Sequence, residues 1–162
     1  METTSAEKTH TERAVVGWRE WAALPELGIE AIKVKVDTGA RTSALHAFRV
    51  CTFQRDGSEW VRFHIHPFQD SDQVRECEAP LLERRVVSDS GGHRERRPVI
   101  RTALVLGQSR WPIEITLTDR ETMKFRMLLG RTAMQHLMVH PDASFLLGGD
   151  RNRPAQKEAV QP

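Results

Sequence analysis

KVDTGARTSALHA, residues 35–47, joins two unlike halves: an apolar–polar alternation that stops at Asp37, and a run of small residues beyond it. Upstream, Ile32, Val34 and Val36 alternate with Lys33 and Lys35, the period of a strand with one buried face. Asp37-Thr38-Gly39 then reads as a loop leaving that strand, because Asp, Thr and Gly are all turn formers. Taken alone, the triplet fits an ordinary strand-ending turn as well as a chemical site.

The same period of two recurs outward along the chain. Val61, Phe63 and Ile65 alternate with Arg62, His64 and His66, and Ile113, Ile115 and Leu117 with Glu114, Thr116 and Thr118. Asp56-Gly57 and Gly107-Gln108-Ser109 are expected as hairpin turns between such runs. Residues 98–106 read as a strand with a more apolar end. Residues 88–92 (Ser-Asp-Ser-Gly-Gly) form a tip between β-like arms at 81–87 and 97–106. Only residues 131–138 (RTAMQHLM) look helical, about two turns long, and residues 145–147 suggest a last short strand. The fold class is all-β, a barrel or sandwich with one short helix.

A chain of 162 residues suits one domain, here residues 14–149, flanked by polar tails at 1–13 and 150–162 that are expected to be disordered. Charged residues make up 28% but the net charge is only +2, which does not mark a polycation. Aromatics, at 6%, are not interleaved with the basic hairpin, so a nucleic-acid partner is not expected. The opening METTSAEKTHTE has no apolar core and no run reaches the length of a membrane span, which points to a cytoplasmic protein with no membrane partner. Cys51 and Cys77 follow no metal or redox spacing and read as reduced, partly buried thiols. Trp18, Trp21, Trp60 and Trp111 are expected to fill barrel ends or an interface between copies.

Carboxylates hydrolyse amides in pairs that share one proton, one group activating water and the other hydrogen-bonding the carbonyl oxygen. Asp37 would be one such group, Thr38 a hydroxyl tying its loop to a neighbour, and Gly39 a residue that lets backbone approach the carboxylate. Later in the chain Met127-Leu128-Leu129-Gly130-Arg131 is an apolar run ending in Gly. Asp37-Thr38-Gly39-Ala40 and Leu128-Leu129-Gly130-Arg131 together resemble the two motifs of retropepsin-like aspartic peptidases. More specifically, VGWREWAALPELGIEAIKVKVDTGARTSALHA is similar to the opening of a bacterial family long labelled ATP-dependent zinc proteases and associated with RimK-type ligases. The likeness covers about residues 15–147.

The resemblance implies a retropepsin-like barrel whose long hairpin is a flap over the substrate. It implies that Asp37, Thr38 and Gly39 are catalytic. Asp89-Ser90-Gly91 is a poor second triplet, since His93 and four charged residues follow it at the polar tip. A C2 homodimer, each chain supplying one Asp37, is the simpler source of the second carboxylate. Retropepsins commonly carry an acid after D-T-G-A, where this chain has Arg41; that change leaves Arg131 without an acidic partner. Residues 84–101 hold six arginines and His93 against Asp89 and Glu95. A solvated hairpin explains such a run, and so does an electropositive lid over acidic peptides. Ala40, Arg41, His46, Arg94, Arg96 and Arg131 are thus expected to contact substrate, a peptide or protein that is acidic or glutamate-rich in keeping with ligases that add glutamate.

No cofactor is expected, because there is neither an H-E-x-x-H helix nor a phosphate loop followed by Lys. No metal ligand is assigned: His64 and His66, with His46 or Cys51, could hold zinc for a zinc-dependent hydrolase, but an exposed strand face explains the pair more simply. A dimer that binds acidic peptides without cutting them is the alternative from another class.

Overall fold

The computed structural model describes residues 14–68, 71–88, 91–120 and 124–148; both expected tails, and Asp89 and Ser90 of the hairpin tip, lie outside the described residues. Its first half comprises β1 (Ala14–Val16), β2 (Arg19–Leu24), β3 (Ile29–Val36), β4 (Ser43–His46), β5 (Phe48–Arg55) and β6 (Ser58–Ile65). The second half holds β7 (Arg75–Pro80), β8 (Glu83–Ser88), β9 (Arg94–Leu106), β10 (Ser109–Thr118), β11 (Met127–Leu129) and β12 (Leu137–Val139). No helix among these residues is long and apolar enough to cross a membrane.

Six strands run in the order β10-β4-β11-β3-β2-β9, and the β9–β10 hairpin closes the ring into a barrel. The fold is therefore all-β as the alternating pattern anticipates, and of the barrel and sandwich left open by that pattern it is a closed barrel. Closure joins the two edges of the six-stranded ring to each other, and the alternating apolar residues point inward. Leu24, Val34, Leu45, Ile100, Leu104, Ile115, Met127 and Leu129 have no exposed surface. Each such side chain contributes on the order of 1.5–3 kcal/mol through burial. The turns match their residues. Asp56 and Gly57 take φ of 51° and 79°, the left-handed pair that a two-residue hairpin requires.

A second antiparallel sheet, β5-β6-β7, sets Val61, Phe63, Ile65, Cys77 and Ala79 against the same core. On its other face Glu78 accepts from Arg55 and Arg62 at 2.8 and 2.9 Å, and the Arg55 guanidinium covers Phe53 and Trp60. The remaining tryptophans are structural: Trp21 stacks on Phe145, Trp18 meets Phe125 edge-on, and Trp111 donates to the Ala133 carbonyl.

Two expected elements are replaced. The helix at 131–138 is instead one 3-10 turn, Arg131–Ala133, followed by strand β12. So short a segment is costly to nucleate as a helix, and Gly130 before it makes no side-chain cap. Residues 137–139 take parallel partners in β1, with Val15 beside Met138. Tertiary pairing overrides a local pattern.

Residues 145–147 are likewise not a strand. Phe145 has φ of 55°, and the amides of Leu146 and Leu147 bond to a side chain, the carboxylate of Glu20. Glu20 is completely buried and also accepts from Gly17 N–H at 2.7 Å. Gly17 must lack a side chain, because a Cβ there would stand 2.2 Å from the Ala143 carbonyl oxygen.

Replacing Glu20 by Ala should therefore strand three backbone donors and lower stability by about 3 kcal/mol or more, measured by urea denaturation. Of the two cysteines expected to be partly buried, Cys77 is buried but Cys51 is exposed. Burial pushes the Cys77 thiol up to about 11. At pH 8 a thiol reagent should modify Cys51 quickly and Cys77 only after denaturant is added; rapid reaction of both would contradict this packing.

Candidate active site

Strand β3 ends at Val36 and delivers Asp37 into a tight loop. The Asp37 amide donates to the Leu129 carbonyl at 2.9 Å, which fixes the loop to β11. Its carboxylate Oδ1 accepts from the Gly39 N–H at 3.0 Å. A Cβ on Gly39 would press to 3.3 Å from that same oxygen, so glycine preserves the turn's reach to the carboxylate.

The two sequence motifs lock together as expected. Arg131 N–H donates to the Ala40 carbonyl at 2.8 Å and Thr132 N–H to the Arg41 carbonyl at 3.0 Å. Gly130 N–H donates to Ser43 Oγ at 3.0 Å. A Cβ on Gly130 would lie 2.5 Å from the Thr42 carbonyl carbon, so the two backbones touch only because that residue is glycine. Arg131 has no acidic partner among the described residues but is not idle, since its Nη1 donates to the Thr38 carbonyl at 3.0 Å.

Above the loop lies a cavity of about 660 Å³. It is bounded by the loop at 37–42 on one side and by residues of β8 and β9 on the other, so the hairpin lies across it from Asp37. Two carboxylates line it, Asp37 and Glu114. Glu114 is occupied by Arg85 at 3.0 Å, whereas Asp37 pairs with no cation among the described residues. Thr38, Gly39 and Arg41 are exposed on the surface of the single chain.

The arginines of the hairpin separate by register. Arg85 and Arg97 stand directly opposite each other and both line the cavity. Their like charges are tolerated because each holds its own acid. Arg85 pairs with Glu83 and Glu114, and these hydrogen bonds raise its pKa, Glu83 contributing most. Arg97, only 7% exposed, donates from Nε to Glu95 at 2.9 Å. Arg94 and Arg96 are exposed and do not line the cavity, while Arg84 faces outward to Glu59 at 2.7 Å. Arg85, Arg97, Glu114 and Arg120 are thus lining residues that the sequence reading did not single out. Counting cross-strand pairs from the hairpin tip is the signal that would have found the first two.

Ala40 and Arg41 line the cavity; His46 does not. His46 is buried, and its Nδ1 accepts the Arg120 backbone N–H at 3.2 Å, so it positions a lining residue. The His46 and His66 rings stack at 5.9 Å, and Phe48 stacks on His66 at 4.9 Å. Among the described residues no group of three or more potential ligands could hold a metal ion, and Cys51 does not join the histidines in one.

A family model for RimB-like proteins, described as the retropepsin-like aspartic endopeptidase RimB, matches residues 15–148. Two curated relatives, each named a probable alpha-L-glutamate ligase, come from Parasynechococcus marenigrum and Desulfotalea psychrophila. The first is 51% identical over 140 residues and the second 48% over 138, covering 85% and 84% of this chain. The chain spans only 30% of the length of either relative. Among solved structures, a Legionella pneumophila protein of unknown function superposes with a TM-score of 0.71 at 25% identity. That match covers 84% of this chain and 99% of the other.

Gly130→Ala should force the two interlocked segments apart and cost about 1–3 kcal/mol, read as a lowered melting temperature. An unchanged melting temperature would show that the contact with Thr42 relaxes freely.

Proposed function

We propose that this chain, which belongs to the RimB-like family of retropepsin-like aspartic endopeptidases, hydrolyses peptide bonds with an Asp dyad formed across a homodimer. The observation that carries this reading is the state of Asp37: a carboxylate held by the Gly39 amide, paired with no cation among the described residues, and facing a large cavity from an exposed loop. One chain presents half of the required pair. An isologous contact about a two-fold axis would set each exposed 37–39 loop against its copy and supply the other half.

Two carboxyls about 3 Å apart share one proton. The ionised member takes a proton from water as it attacks the amide carbon, and the protonated member hydrogen-bonds the carbonyl oxygen. Collapse of the tetrahedral species returns a proton to the leaving nitrogen. The covering hairpin excludes water and holds the peptide extended. Arg41, Arg85, Arg97 and Arg120 on the cavity wall favour acidic segments.

A second reading is binding without cleavage. It is favoured by relatives in which a domain like this one makes up 30% of a longer chain named a probable ligase. There the domain would hold a glutamate-bearing peptide for the rest of the protein.

Hydrolysis of glutamate-rich peptides should fall by about 10²–10⁴-fold in Asp37→Asn, with circular dichroism unchanged. Light scattering should give twice the 18.5 kDa chain mass. Retained cleavage in the variant, or a monomer at working concentration, would remove the dyad. Binding without turnover by the wild-type protein would support the second reading. Cleavage that a chelator abolishes would point to zinc.

A further inference from the structure

Strand β10 hides Ile113, Ile115 and Leu117 in the barrel core, so Glu114, Thr116 and Thr118 share its other face. Each of these three holds one residue of the β8–β9 hairpin. Glu114 takes Arg85 at 3.0 Å, Thr116 Oγ1 accepts from Arg97 Nη1 at 3.4 Å, and Thr118 Oγ1 donates to Glu95 at 3.1 Å. The middle tooth of this clasp also reaches the other way, because the Thr116 hydroxyl donates to the Ser43 carbonyl at 3.1 Å. We propose that Thr116 is a positioning residue, through which the placement of the hairpin sets the placement of the Asp37 carboxylate.

The links beyond Ser43 are short and stiff. Ser43 has no exposed surface, and its Oγ accepts the Gly130 N–H at 3.0 Å. That N–H belongs to the same peptide unit as the Leu129 carbonyl, which accepts the Asp37 N–H at 2.9 Å. A peptide unit is planar, so Ser43 and Asp37 grip opposite sides of one rigid plate. Tilting the plate moves the backbone from which the carboxylate hangs. The line from Arg97 through Thr116 and Ser43 to Asp37 thus contains no exposed side chain that could absorb a displacement.

Thr116 suits the middle of that line. One hydroxyl can accept and donate at once, and at 1% exposure no water competes for either bond. A β-branched side chain also has a stiff χ1, which keeps both bonds in register. Thr116 does not line the cavity, so it can act on a ligand only through its neighbours. The consequence for catalysis rests on the peptidase reading; the coupling of hairpin to loop does not.

Hydrogen exchange on the full chain reads the coupling without any turnover. Thr116→Val keeps the shape of the side chain and removes its hydroxyl. It should speed amide exchange at residues 37–43 and 128–132 by about fivefold or more, the order set by one lost hydrogen bond, while β5 and β6 keep their rates. Thr116→Ser retains a hydroxyl and should bring the rates back toward wild type. Thr102→Val removes another buried threonine hydroxyl, one that bonds Glu26 at 3.3 Å, and should leave the loop unchanged. Among the described residues Arg97 has no hydrogen bond to the 37–43 loop, so Arg97→Met reaches that loop only through Thr116. It should speed exchange in the hairpin and at residues 37–43 together. A hairpin loosened by Arg97→Met beside an unchanged loop overturns the proposal. So does a Thr116→Val chain whose exchange rises equally in β5 and β6, since the hydroxyl would then add only to general stability. In the hydrolytic assay Thr116→Val should lower kcat about tenfold or more and change KM by less than about twofold. A wild-type chain without turnover sinks the peptidase reading and leaves the exchange rates to decide the coupling.

Discussion

The contact between the loop at 37–43 and the segment at 128–132 is the constraint on which the rest of this molecule depends. Both pieces lie where strands give way to turns, and their backbone groups satisfy one another: Asp37 with Leu129, Arg131 with Ala40, Thr132 with Arg41. Buried amides and carbonyls must be paired somewhere, and here pairing them also fixes the carboxylate. The contact requires a residue without a side chain at Gly130. It extends inward as well. Gly130 N–H bonds Ser43 Oγ, the Ser43 carbonyl accepts Thr116 Oγ1–H, and Thr116 Oγ1 faces Arg97 Nη1. A single line of hydrogen bonds thus runs from the loop that carries Asp37 to the root of the covering hairpin.

Much of the barrel is legible in the chain because each of its strands hides one face, and a buried face imposes an alternation of period two. Ile32, Val34 and Val36 announce β3, and Asp56-Gly57 announces its hairpin. The interlock is also legible, since its two motifs survive as short strings. What escapes is whatever depends on a distant partner. Residues 137–139 read as helix until β1 is present to pair with them. Residues 145–147 read as strand because nothing local reveals that a carboxylate 126 residues away binds the Leu146 amide. Nothing local to Glu20 reveals its burial, which only the closed fold shows to be complete.

The arginines of the hairpin teach the same lesson within one element. Composition gives their sum, a positive lid, but register decides which of them meets the cavity. Arg85 and Arg97 do, each already holding an acid, whereas Arg94 and Arg96 face solvent. The positive charge available to a ligand is consequently smaller than the count suggests and is directed from fixed positions. His46 is a parallel case: its place in the chain suggests substrate contact, and its ring instead holds the backbone that carries Arg120.

Strand β9 is continuous from Arg94 to Leu106, yet its two ends have different neighbours. From Val99 onward it is bonded into the barrel through β10; before Val99, β8 is its strand partner. Pro98, which has no amide hydrogen to offer a ladder, sits at the change. The hairpin is thus a cantilever: a two-stranded ribbon clamped at its root, with no hinge loop among its described residues. Arg85 on Glu114 and Arg97 near Thr116 act as stays between beam and wall. Beyond Val99 the ribbon's place over the cavity is therefore set by side-chain contacts such as these, and not by further strands pairing with it.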